Sequence, residues 1–176
     1  LKVRSLKIYL PIIIALLFVP ELASSEGDME YLVKVSFSKI RLFLFDKDGN
    51  EVAVFPVALP RMTPKKFPVE GEVNEIIRKP SWGPSEGTRR EYSRKYKKEL
   101  AKFIKYGDPD NAMGEIKMII VFKTKGVNPI IRIHGTNKEE FIGQRVSRGC
   151  IRMRDKDALY LAGVIKGKFT KVLFVE

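Results

Sequence analysis

The chain has 176 residues, with 33 Lys+Arg against 21 Asp+Glu, a formal charge of +12, one His and one Cys. That length suits one domain whose core needs no staples; a single Cys excludes an internal disulfide framework, and His134 with Cys150 is too few for a Cys/His zinc cluster. A hydrophobic share of 44% and a charged share of 31% describe a globular chain, and the positive charge suits an anionic partner: nucleic acid, an anionic membrane or a carboxylate-rich polymer.

Residues 1–25 open with basic Lys2, Arg4 and Lys7. An apolar run from Ile8 to Val19 follows, interrupted only by Pro11, and then the small residues Ala23, Ser24 and Ser25. This is the order of a secretory signal peptide, with an uncleaved N-terminal anchor as the alternative. The run is shorter than the roughly 20 apolar residues of a comfortable span. Residues 26–176 are then the working domain. Removing the leader takes away three basic groups and one acid, leaving +10 on 151 residues. Export disfavours a nucleic-acid role and confines membrane contact to the leader. It also places a free thiol in an oxidising compartment, where it needs a reason to exist.

From Tyr31 to Phe37 apolar and polar residues alternate, and Arg41 to Phe45 and Glu51 to Val57 read as two further strands. Asp48-Gly49 between those two runs predicts a hairpin. Residues 60–88 are rich in Pro and Gly and read as loops with one or two short strands. Residues 88–106 place Tyr92, Tyr96, Leu100, Phe103 and Ile104 on one face of a long helix, with eight basic and two acidic residues on the rest. Lys117 to Phe122 and Pro129 to Ile133 read as buried strands. Asp155 is expected to cap a helix over 156–165, and Phe169 to Val175 closes the chain as a strand. Many short strands with two helices predict a mainly β domain, a sandwich or barrel with helical additions.

The chemistry concentrates in Ile133-His134-Gly135-Thr136-Asn137 and Ser147-Arg148-Gly149-Cys150-Ile151-Arg152. A thiol nucleophile needs a base to take its proton, and an imidazole serves. Arg148 and Arg152 flank Cys150 and predict a depressed thiol pKa. Gly149 lets the backbone turn, so that N–H groups at 149 and 150 face a developing oxyanion. No Asp, Glu or Asn stands out to orient the His, and a backbone carbonyl can do that work.

These two segments closely resemble the signature of L,D-transpeptidases with a YkuD-type catalytic domain, His-Gly-Thr/Ser followed by Ser/Thr-x-Gly-Cys-aliphatic-Arg/Asn. The likeness extends over about residues 30–176. Thr63-Pro64 with Phe67, Pro80-x-Trp82-x-Pro84 and Asn111-Ala-Met-Gly114 resemble further family segments, although Lys66 stands where Gly is usual. The resemblance implies Cys150 as nucleophile, His134 as acid/base and the Gly135 carbonyl as the group orienting the ring. It implies Gly149 and Cys150 N–H groups as oxyanion hole, with Gly135, Ser147, Arg148, Gly149 and Arg152 at the substrate site. Arg148 replaces the His that many members carry, and Trp82 is a candidate for lining the peptide groove. The implied reaction moves an acyl group from a peptidoglycan tetrapeptide stem, through a thioester, to an amine of another stem or of an envelope-protein lysine. It needs no metal or organic cofactor and takes place outside the cytoplasm. The alternatives are an L,D-carboxypeptidase, with water as acceptor, and a non-catalytic basic module that binds anionic envelope polymers through residues 89–105.

Overall fold

The structure is a computed structural model that describes residues 29–123 and 128–176. The expected leader at 1–25 lies outside the described residues. Strands β1 (Tyr31–Ser36), β2 (Arg41–Asp46) and β3 (Glu51–Pro56) form an antiparallel meander. The predicted hairpin is present: the Asp46 carboxylate accepts the N–H groups of Asp48 at 3.0 Å and Asn50 at 2.8 Å, and Gly49 adopts φ +83°. Val33, Val35, Leu42 and Leu44 alternate into the core, as period-2 patterning requires.

The remaining elements are β4 (Leu59–Pro60), β5 (Val69–Arg78), α1 (Glu86–Tyr96), β6 (Ile116–Phe122), β7 (Ile130–His134), β8 (Arg145–Ser147), β9 (Ile151–Arg152), α2 (Asp155–Ile165) and β10 (Thr170–Val175). Eight strands form one mixed sheet in the order β3-β2-β1-β10-β5-β6-β7-β9, and β4 pairs with β8 separately. The sheet curls until its ends meet. Just after β3, the Ala58 N–H donates to the Arg152 carbonyl at 2.8 Å, and the Arg152 N–H returns a bond to Ala58 at 2.9 Å. Of the two architectures the sequence left open, the fold is therefore barrel-like. Helix α2 fills the interior through Ala158, Leu161, Ala162 and Ile165, all buried. Phe37, Phe122 and Phe174 stack edgewise beside it in the same core.

Three expectations are corrected. The stretch read as loops with short strands contains β5, at ten residues the longest strand. Its Glu70, Glu72 and Glu75 put polar groups outward, and its Gly71 is required because an added Cβ would lie 2.6 Å from the Val121 carbonyl of β6. The helix predicted over 88–106 stops at Tyr96, where Lys97 turns left-handed (φ 54°) and bonds back to Ser93. Continued helix would leave Leu100 and Ile104 on a surface element. Instead both are buried, and Ile104 makes a two-bond bridge with Trp82 at 2.8 Å in each direction. Asp155 begins α2 but does not cap it; its carboxylate accepts the Glu115 N–H at 2.9 Å.

Candidate active site

Strand β7 ends on His134, and β9 begins one residue after Cys150. Register aligns Lys117 of β6, His134 of β7 and Arg152 of β9 in one row. Arg132 and Cys150 each lie two residues back, so they share the next row on the same face. This face is the outer one; Ile133 and Met118 point the other way, into the core. His134 is nevertheless buried, and Trp82, Tyr92 and Met113 from the segment between β5 and β6 line a cleft of about 740 Å³ with it and with Cys150.

The imidazole is held from one side. Nδ1 lies 2.5 Å from the Gly135 carbonyl. A carbonyl only accepts, so the proton is on Nδ1 and the lone pair is on Nε2. The main chain here is pinned on both strands: Gly135 N–H donates to Ile116 at 3.0 Å, and Met153 N–H donates to the His134 carbonyl at 2.8 Å. Asp155 packs beneath. A Cβ on Gly135 would fall 1.8 Å from its Oδ1, and one on Gly114 would fall 2.0 Å from the same atom. Two glycines far apart in sequence are thus explained by one carboxylate.

The Cys150 turn is built by Ser147. Its hydroxyl donates to the Cys150 carbonyl at 2.5 Å and accepts the Gly149 N–H at 3.3 Å. Ser147 is buried, so its side chain shapes the turn from inside. Gly149 has φ +153°, a conformation that disfavours a side chain even though a Cβ would meet nothing within 4 Å.

The electrostatics differ from expectation in two respects. Arg148 is turned away from the thiol and engages Glu91 of α1 through Nη2 at 2.7 Å and Nε at 3.1 Å. The cations whose fields reach Cys150 are Arg132, Arg152 and Lys117. The thiol is also not depressed: burial pushes its pKa up, and this outweighs those cations. Burial likewise pushes His134 down to about 4, against the pull of the Gly135 carbonyl. At neutral pH the pair is therefore neutral thiol and neutral imidazole, poised for proton transfer on attack and not a preformed ion pair. Because burial pushes the thiol pKa above its ordinary value, the rate of Cys150 alkylation by iodoacetamide should keep rising from pH 7 to 9 without a plateau. A plateau below pH 7 would mark a thiolate–imidazolium pair.

Glu91 also accepts from Arg61 at 3.1 Å, so one carboxylate joins α1 to residues from two loops. These two guanidinium groups hold the Glu91 carboxyl below the usual range. Gly87 packs against Arg148: a Cβ there would lie 2.7 Å from Nη1. The pairs are half exposed, so Glu91→Gln should cost no more than about 1 kcal/mol of stability. It should also raise the alkylation rate of Cys150 severalfold by loosening α1 over the cleft. Melting and alkylation measured on one preparation check both. Asn111 secures the far end of this cover by donating to the Pro80 and Lys105 carbonyls, at 3.0 Å each.

Sequence reasoning placed His134, Gly135, Ser147, Arg148, Gly149, Cys150 and Arg152 together, and the fold gathers them at the β7–β9 end of the sheet. It missed Asp155, Glu91, Lys117 and Arg132. Lys117 and Arg132 carried a readable signal, since each is a lone charge in an apolar strand and Arg132 shares His134's parity. Glu91 and Asp155 act across long sequence separations and carried none.

The profile of the L,D-transpeptidase catalytic domain, YkuD, matches residues 30–173. A probable L,D-transpeptidase ErfK/SrfK of Escherichia coli (strain K12) is 37% identical over 135 residues, covering 73% of this chain and 39% of that protein. A probable L,D-transpeptidase ErfK/SrfK of Salmonella typhimurium is 34% identical over 160 residues, covering 88% of this chain and 47% of that protein. The chain thus spans less than half the length of these curated relatives. Among solved structures, L,D-transpeptidase 3 from Mycobacterium tuberculosis superposes with a TM-score of 0.54 at 16% identity, covering 84% of this chain and 61% of that one, which shows a shared fold.

Proposed function

The chain belongs to the L,D-transpeptidase catalytic domain family, and from that premise we propose that it is a cysteine acyltransferase of peptidoglycan. Its donor is a tetrapeptide stem, cleaved at the bond between the third residue and the terminal D-alanine. The observation that carries this reading is the Nδ1–Gly135 bond, which leaves Nε2 of His134 as an unprotonated base in the cleft that Cys150 shares.

In the first half-reaction the Cys150 sulfur attacks the scissile carbonyl while Nε2 takes the thiol proton. The carbonyl carbon–nitrogen bond then breaks. The imidazolium returns its proton to the departing amine, D-alanine leaves, and the acyl group remains on sulfur as a thioester. The Gly135 carbonyl stabilises the transient imidazolium without leaving its 2.5 Å contact. The N–H groups of Cys150 and Gly149 are the donors for the tetrahedral oxyanion; the Gly149 N–H is released from its long 3.3 Å bond to Ser147 as charge develops. Arg152 binds substrate from the His134 row, and Arg148 acts through its Glu91 pair by fixing the turn before Gly149. Trp82 offers an apolar wall for the peptide. In the second half-reaction an amine attacks the thioester while Nε2 takes its proton; the carbon–sulfur bond then breaks and the imidazolium returns that proton to the Cys150 thiolate. The acceptor amine belongs to a second stem or to a lysine of an envelope protein. Thiol, imidazole and backbone N–H groups supply every step, so no metal or organic cofactor is called for. The leader-like segment at 1–25 and the basic charge support action outside the cytoplasm, on a carboxylate-bearing wall polymer.

Products from a defined pair of muropeptides, separated by mass, test this reading. Free D-alanine with cross-linked dimers is the expected result. Tripeptide monomers alone would assign water as acceptor, and unchanged donor with folded protein would overturn the reading. His134→Ala should lower D-alanine release by about 10³-fold or more.

A further inference from the structure

One wall of the cleft carries more positive charge than the chemistry above uses. Lys117 and Arg152 flank His134 in one cross-strand row, and Arg132 stands beside Cys150 in the next. All three line the cleft. Among the described residues, none of the three is in an ion pair. Nε of Arg152 is buried with no hydrogen-bond partner. The cations oppose one another: Arg132 presses on Lys117, and Arg61 presses on Arg152. The carboxylates nearby offer little relief. Glu75 of β5 acts on Lys117 from one side, and Glu91 is already engaged by Arg61 and Arg148. Lys117 and Arg152 are half-buried and Arg132 is exposed beside them, so two of three mutually repelling cations are partly desolvated, which is costly unless an anion joins them.

We propose that Lys117, Arg132 and Arg152 form a carboxylate-binding subsite that reads a free carboxylate of the donor peptide within about one residue of the scissile bond. The proposal rests on the acyltransferase reading for the identity of the peptide, but the anion site itself does not. Neighbouring strands lie about 4.8 Å apart, so an anion seated on this wall is within one extended residue of the thiol. Two donor groups have that reach: the terminal carboxylate of the leaving D-alanine, and a side-chain carboxylate on the acyl residue. Charge-assisted bonds from Arg suit either one.

The first test needs no substrate. Second-order alkylation rates of Cys150 are measured with iodoacetate and iodoacetamide, which differ in one carboxylate. The iodoacetate-to-iodoacetamide ratio should exceed that of free cysteine about tenfold at low salt and shrink at high salt. In Lys117→Gln/Arg132→Gln, whose folding is checked by melting, the ratio should return toward the free-cysteine value. A wild-type ratio equal to that of free cysteine would overturn the subsite. So would an equal fall with both reagents in the variant, because the cations would then act on the thiolate alone. The second test compares the tetrapeptide donor with its terminal amide and with its side-chain amide. The amide at the recognised carboxylate should raise KM about tenfold in the wild type and leave it unchanged in the double variant. No penalty from either amide would overturn the proposal for the peptide. Selective iodoacetate alkylation without any peptide turnover would keep the anion site and sink the acyltransferase reading instead.

Discussion

Cys150→Ala is expected to abolish D-alanine release from a tetrapeptide donor, a loss of about 10⁴-fold or more, while leaving the fold intact. The loss is large because the chain holds no other thiol to take the acyl group. The fold survives because the Cys150 turn is held by its main chain. Ser147 bonds to the Cys150 carbonyl and to the Gly149 N–H, and both bonds remain when sulfur is removed. Cys150 is half-buried, so truncation should cost about 1 kcal/mol at most. Serine at the same place keeps a hydroxyl, but its proton is far harder for an imidazole of pKa about 4 to take. Cys150→Ser should be nearly as inactive. Release of D-alanine and thermal melting, measured together, check both halves. Retained activity in either variant would mean that the thiol is not the nucleophile.

Gly114→Ala should be strongly destabilising and should also lower activity. Gly114 adopts φ +64°, which alone costs a side chain about 1 kcal/mol. The added Cβ would also lie 2.6 Å from the Thr136 nitrogen, 2.7 Å from the Gly135 carbonyl carbon and 2.0 Å from Asp155 Oδ1. Two of those are backbone atoms that cannot swing aside. Displacing Asp155 would strand the Glu115 N–H, a further cost of about 1–3 kcal/mol. The sum is about 3 kcal/mol, or roughly a 10 °C fall in melting temperature for a domain of this size. The same shift moves the Gly135 carbonyl that holds the imidazole, so activity should fall about a hundredfold even at temperatures where the variant is folded. Gly107→Ala is the control. Its φ is +85° but a Cβ there meets nothing within 4 Å, so only the conformational cost should appear, with activity unchanged. Equal effects at 107 and 114 would mean that the packing of Gly114 against Gly135 is unimportant.

What could be read from the chain followed local rules. The β2–β3 hairpin was legible because Asp48-Gly49 sits between two alternating runs, and β6 and β10 were legible from their apolar continuity; β7 was legible as a strand but not as a buried one, since Ile130 and Arg132 are exposed. The thiol and imidazole were legible as a pair because each is unique and each adjoins a glycine. The failures share a different cause. Gly71 inside β5 and Pro68 just before it are loop signals taken alone, and only pairing with β6 and β10 makes residues 69–78 a strand. Apolar spacing extended α1 by ten residues, yet Leu100 and Ile104 satisfy that spacing by descending separately into the core. Asp155 had the position of a helix cap, but a bond to Glu115, forty residues away, outcompeted the local one. Flanking arginines suggested a low thiol pKa. Burial reversed the sign, and Arg148 was drawn off by Glu91, fifty-seven residues away. Sequence adjacency therefore misjudged which cations face Cys150: of the two flanking arginines, Arg152 does, and it is joined by Lys117 and Arg132 from strands β6 and β7.

The most direct measurement is the intact mass of the protein after brief incubation with a tetrapeptide stem in the absence of an amine acceptor, followed by peptide mapping. The expected result is a mass gain equal to the donor less D-alanine, carried on Cys150 as a hydroxylamine-sensitive thioester and absent in Cys150→Ala. Release of D-alanine without any adduct at Cys150, or an adduct that persists in Cys150→Ala, would contradict nucleophilic catalysis by this thiol.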